Sequence, residues 1–233
     1  MSVSIYLEEI VLLSAIGGIL AIDEKAGWQS LLDQPVISSA IIGLVFGDFT
    51  ACVSVGVVLQ LVWLSVLPMR GVRKPDAVAG SIVGAGTACL LIKHTGDPRF
   101  MFVVSLGSVL GLIAGELAGS AGRRIHRFRE RGLGRVKSTG ELSRRLLFYF
   151  FYSMCFIFVA EAVQILVMLP VSILLAEWIS GAVGASFASG AGAWVDIVPA
   201  LGAGAIIQMY WHKQHNRYLI LCAGITLVLL WFR

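Results

Sequence analysis

Charge is what this chain has least of. Only 14 residues are acidic and 18 are Lys or Arg, so charged residues make up 14% of the 233, against about 25% in an ordinary soluble domain. With 58% of its residues hydrophobic, a soluble fold would have too little polar surface to cover itself. The surplus apolar surface is expected to face lipid or neighbouring membrane helices. Cysteine is sparse and scattered. Cys52, Cys89, Cys155 and Cys222 lie far apart inside apolar runs with no CxxC, so a metal or dithiol site has no spacing to rest on. His212 and His215 sit together but without further ligands nearby. There is no GxSxG, no P-loop and no HExxH, so neither a catalytic constellation nor a cofactor is expected. The first residues carry Glu8 and Glu9 where a cleavable signal needs a basic stretch. The first apolar run is therefore expected to stay as a membrane helix.

Positive charge, by contrast, is concentrated. Nine of the 18 Lys and Arg fall between Arg123 and Arg145, opposed there only by Glu130 and Glu141. Apolar segments flank this block on both sides, so it reads as a loop, 123–145, retained in the cytoplasm by the positive-inside rule. Contact with anionic lipid headgroups suits the same residues. No aromatic side chain apart from Phe128 is interleaved with them, and no nucleic-acid partner is expected.

A helix needs about 20 apolar residues to cross the hydrocarbon core. Ile5–Ile22 nearly reaches this length. Val36–Met69 is too long for one span and too short for two, with one charge, Asp48, after Gly47. A break at Gly47-Asp48 is expected, giving two helices of which at least one is short, tilted or re-entrant. Ala77–Ile92, Phe100–Gly122, the over-long Leu146–Ala176 with Glu161 and Pro170 inside it, Trp178–Trp194, Ile197–Trp211 and Tyr218–Phe232 come after it. The expected fold is a single all-α polytopic membrane domain, 1–233, with roughly seven to nine segments including broken or re-entrant helices. Gly107, Gly111, Gly115 and Gly119 recur at every fourth position, a smooth ridge for close helix approach. Gly80/Gly84 and Gly43/Gly47 repeat the spacing once each.

Ionisable groups within membrane segments are costly and usually functional. The candidates are Asp23, Asp48, Asp76, Glu116, Glu161 and Asp196, with Gln60 beside them. Each has a plainer alternative: Asp48 as a helix cap, Glu116 at the interface, Asp196 at a helix end.

Three motifs in order resemble the IIC component of the mannose–fructose–sorbose family of phosphotransferase transporters. Ala21-Ile22-Asp23-Glu24 with Trp28-Gln29 and Gln34-Pro35-Val36 is similar to the first. Gly43 through Gly47-Asp48 resembles the second. Leu59-Gln60-Leu61 with Trp63, Leu67-Pro68 and Pro75-Asp76-Ala77 resembles the third. The likeness covers roughly Gly17 to Gly84. It implies a bacterial inner-membrane permease subunit that binds a hexose-type sugar and carries it inward with a IID membrane subunit. Soluble IIA and IIB proteins would relay phosphate from HPr, and IIB would phosphorylate the sugar, so the chain itself would not be an enzyme. It also implies an oligomer of IIC–IID pairs. The substrate-binding residues expected on this footing are Asp23, Gln34, Asp48, Gln60, Trp63 and Asp76. Carboxylates and amides can accept or bridge sugar hydroxyls, and Gln60 and Trp63, at i and i+3, share a helix face. Gln34 and Lys74 depart from the family's usual arginine and proline, and the chain stops at Arg233. These departures support an alternative, a degenerate IIC-like subunit with an assembly or regulatory role and no transport. Arg70, Arg73 and Lys74 would either favour an anionic sugar or snorkel to the interface.

Overall fold

The computed structural model describes residues 6–26, 30–63, 75–95, 100–133 and 142–182. Among them are six helices and no strand: α1 Leu7–Lys25, α2 Pro35–Phe46, α3 Phe49–Trp63, α4 Ala77–Thr95, α5 Phe100–Leu133 and α6 Leu142–Ala182. Three of these, over Ala77–His94, Phe100–Arg123 and Phe148–Ala182, are long and apolar enough to cross a membrane. The expected seven to nine segments therefore meet six helices here. Ile197–Trp211, Tyr218–Phe232, Asp196 and the loop cations Arg70, Arg73 and Lys74 lie outside the described residues.

The break expected at Gly47-Asp48 is present. Gly47 closes α2 at φ 94, a left-handed conformation that costs glycine nothing. Asp48 then caps α3, its Oδ1 accepting from the Ala51 N–H at 3.3 Å. The two short helices form a hairpin in which Gly43 lies against the Phe49 backbone and Gly56 against the Pro35 carbonyl. Pro35 opens α2 at its first turn, where its missing N–H is no loss.

One segment differs from expectation. The basic block is expected to be a loop, but α5 continues through Leu133 and α6 begins at Leu142, so both its ends are helical. Pro170 does not end α6; the helix runs on, and the carbonyl four residues back goes without its usual donor.

The glycine ridge finds its partner in α4. A Cβ added at Gly84 would stand 2.8 Å from the Gly107 carbonyl, and one at Gly111 would stand 2.7 Å from the Gly80 carbonyl. The two backbones thus touch with no side chain between them. Buried hydroxyl pairs join other helices to α4: Ser38 with Ser81 at 2.7 Å from α2, and Thr87 with Ser172 at 2.7 Å from α6. Satisfying one hydroxyl with another avoids leaving either orphaned in an apolar interior. Helix α4 is thus the central element, with α2, α3 and α5 on one side and α1 and α6 on the other.

Candidate functional site

Lys25 ends α1 and Asp76 immediately precedes α4. A cation at a helix C-terminus and an anion at an N-terminus each suit the local dipole, so the two helix ends meet through charges that both already favour. Lys25 Nζ donates to Asp76 Oδ2 at 2.7 Å and to Glu161 Oε2 on α6 at 2.5 Å. Asp76 is held from three further directions. Its Oδ1 accepts from the Ala79 N–H at 3.1 Å, its carbonyl accepts from the Gly80 N–H, and its own N–H donates to the Gly115 carbonyl at 2.9 Å. The Asp76 and Glu161 side chains are only 5% and 2% exposed, whereas that of Lys25 keeps 30%.

Depth comes from helix rise. Gly115 lies eight residues inside the Arg123 end of the apolar part of α5, or about 12 Å at 1.5 Å per residue. Glu161 lies 13 residues inside the Phe148 end of α6, or about 20 Å. The cluster is therefore well within the apolar length of both helices, and α1 and α4 each terminate there. Helices that end at membrane depth and meet over polar groups commonly build transporter binding sites.

Four more of the residues singled out in the sequence reach the same end of α4. Gln60 Nε2 donates to Gln34 Oε1 at 2.9 Å, joining the end of α3 to the start of α2. The Trp63 ring packs its Cη2 and Cζ2 edge onto Gly80 and Gly115, filling the seam beside Asp76. Asp23 faces the chain leaving α1: its carboxylate accepts from the Ser30 hydroxyl at 2.8 Å and from the Ser30 N–H at 3.1 Å. Between Ser30 and Gln34, Leu31 sits at φ 66, a strained conformation for a non-glycine residue. Asp48 is the exception. The 12 residues of α2 separate it from Gln34, about 18 Å, and it occupies the hairpin tip, where Phe46 lies under Lys93. Glu116 is on the exposed face of α5.

Lys25 is the residue that sequence reasoning left out. It reads as one more polar residue after the first apolar run, because nothing local indicates acids 51 and 136 residues away. Glu161 is visible as a lone acid in an apolar run. Among the described residues no three His, Cys, Asp or Glu side chains converge as a metal site.

The far end of α1 carries a second set of charges. Glu9 pairs with Lys93 at 2.8 Å and with His94 at 2.8 Å, and Tyr6 donates to Glu177 at 2.7 Å. The Tyr6 and His94 rings meet edge to face, 4.6 Å apart. These contacts fix α1 antiparallel to both α4 and α6.

The family described as "PTS system sorbose-specific iic component" matches residues 7–230. An Escherichia coli (strain K12) protein, named provisionally as N-acetylgalactosamine permease IIC component 2, is 35% identical over 57 residues; the match takes in 24% of this chain and 43% of that protein. A solved structure described as a membrane protein superposes with a TM-score of 0.64 at 15% identity, covering 100% of this chain and 96% of the other. At that identity the likeness concerns the fold alone.

Proposed function

The chain belongs to the family of sorbose-specific IIC components of the phosphotransferase system, and from that premise we propose that it is the sugar-binding and translocating subunit of a bacterial mannose-family system. The family is one of membrane permease components for sugar transport. In this reading the subunit works with a IID membrane partner, and phosphoryl transfer to the sugar belongs to a separate IIB protein supplied by IIA and HPr. The protein resides in the bacterial inner membrane as a single domain over 1–233, with seven to nine membrane segments and with residues 123–145 on the cytoplasmic side. Lipid and an oligomer of IIC–IID pairs surround it.

One observation carries the reading: Gln34, Gln60, Trp63, Asp76 and Asp23 gather where α1 ends and α4 begins, inside the apolar length of α5 and α6. Amides and carboxylates there match the donors and acceptors of a sugar. Asp48, also expected to bind substrate, lies at the hairpin tip, where its carboxylate accepts from the Ala51 N–H. The test is direct binding of a hexose panel to the chain co-expressed with its IID partner, compared with Gln60→Ala and Asp76→Asn. Saturable binding that either substitution weakens at least tenfold supports the reading. A folded complex that binds no sugar favours the degenerate-subunit alternative.

A further inference from the structure

Lys25 and Glu161 retain hydrogen-bonding capacity that the described residues leave unused. An ammonium has three N–H donors; Lys25 spends two on Asp76 and Glu161 and keeps part of its surface exposed. Glu161 is 1% exposed, yet its Oε1 has no donor within reach among the described residues. Gln164, one turn further along α6, likewise has an unpartnered buried Oε1. A buried carboxylate oxygen without a donor is costly, and membrane-embedded acids that persist usually serve a ligand. Among the described residues the unmet groups are one donor on a partly open lysine and two buried acceptors on α6. The charge is unbalanced too: Glu24 Oε2 stands 4.0 Å from the same ammonium, so one cation meets three carboxylates.

We propose that Lys25 and Glu161 form a donor–acceptor pair for two neighbouring hydroxyls of the substrate, and that the cluster's surplus negative charge makes the site select an uncharged sugar over its carboxylate or phosphate derivative. This rests on the sugar-permease reading and assigns that site two residues and a substrate class. A vicinal diol donates from one hydroxyl and accepts at the other, which is the complement of Glu161 Oε1 and the third Lys25 proton. An anionic sugar would bring a further negative charge to a largely desolvated place where acids already outnumber the one cation, and like charges repel strongly there. The phosphorylated product would meet the same repulsion, which favours its departure from the site.

The experiment uses the full chain in membrane vesicles with its membrane partner. Binding is measured for the preferred hexose, its monodeoxy analogues and the matching uronic acid, in the wild type, Glu161→Gln and Glu161→Met. Gln keeps an acceptor and removes the charge; Met removes both at similar size. In the wild type at least one deoxy position is expected to lose about tenfold or more, as for a hydrogen bond to a charged group, and the uronate is expected to bind at least tenfold more weakly than the neutral hexose. Glu161→Met should abolish that deoxy penalty, and Glu161→Gln should shrink both the deoxy penalty and the ratio of neutral-hexose to uronate affinity relative to the wild type. If the Met variant fails to fold, the Gln variant still decides the charge claim. Deoxy and uronate penalties that persist unchanged in both variants would overturn the pair while leaving the permease reading intact. A wild-type preference for the uronate would overturn it as well. No hexose binding by the folded wild type would remove the permease reading, and this proposal with it.

Discussion

At one end of α1, Glu9 meets Lys93 and His94 while Tyr6 meets Glu177; at the other, Lys25 meets Asp76 and Glu161. The same three helices, α1, α4 and α6, take part in both. At the Glu9 end the lysine side chain is 47% exposed, one acid faces two basic residues, and water can solvate what the protein does not. At the Lys25 end Asp76 and Glu161 are almost wholly buried and, with Glu24 at 4.0 Å, outnumber their cation. Exposed ion pairs contribute little, with a median near 0–1 kcal/mol. Buried ones are expensive to form and more expensive to break. The first end reads as a fastening and the second as a place where the chain tolerates cost for a purpose.

The largest expected effect lies at the buried end. Lys25→Met leaves two neighbouring carboxylates without their cation and should lower unfolding stability by about 3–5 kcal/mol, read from thermal or denaturant unfolding in detergent. Removing one of the acids as well should reverse part of this. Lys25→Met with Glu161→Met is expected to be more stable than Lys25→Met alone, because the uncompensated charge goes with its partner. A double variant no better than the single would erase the distinction drawn between the two ends. At the exposed end Tyr6→Phe removes one hydrogen bond to a carboxylate and should cost about 1.5–3 kcal/mol if Glu177 finds no other donor, less if water replaces it. Smallest of all, Lys93→Ala should cost under about 1 kcal/mol. That loss should fade in 1 M salt, where the screening length is about 3 Å, while the Lys25→Met loss should persist.

Much of the architecture is legible because it is written in local chemistry. Gly47-Asp48 announces a break, since only glycine takes a left-handed φ freely and aspartate caps the next helix. The four-residue recurrence of Gly107, Gly111 and Gly115 announces a close neighbour, and Gly80 and Gly84 supply it. The end of α5 is not legible, because Arg and His continue a helix as readily as they begin a loop. Pro170 is ambiguous for the opposite reason, since a long apolar helix can absorb one missing hydrogen bond. At the site, Asp76 and Gln60 stand out by motif. The pairing of Gln34 with Gln60, and of Lys25 with two distant acids, depends on helix packing that no stretch of sequence encodes by itself. Trp63 is expected beside an amide and is found pressed into the glycine seam, a role that depends on glycines contributed by two other helices.

The seam between α4 and α5 has a mechanical consequence. With backbone atoms of Gly80, Gly84, Gly107 and Gly111 in close approach and Trp63 filling the seam at its Asp76 end, and with the Asp76 N–H tied to the Gly115 carbonyl, the pair has little slack in which to slide. It behaves as a beam with Asp76 clamped to its side. From Gly115 the beam runs on through α5 to Leu133, about 27 Å at the helical rise, and this outer arm carries Arg123, Arg124, Arg127, Arg129 and Arg131. Any tilt of that outer arm as a rigid helix therefore carries the Gly115 carbonyl with it, and through it the backbone N–H of Asp76.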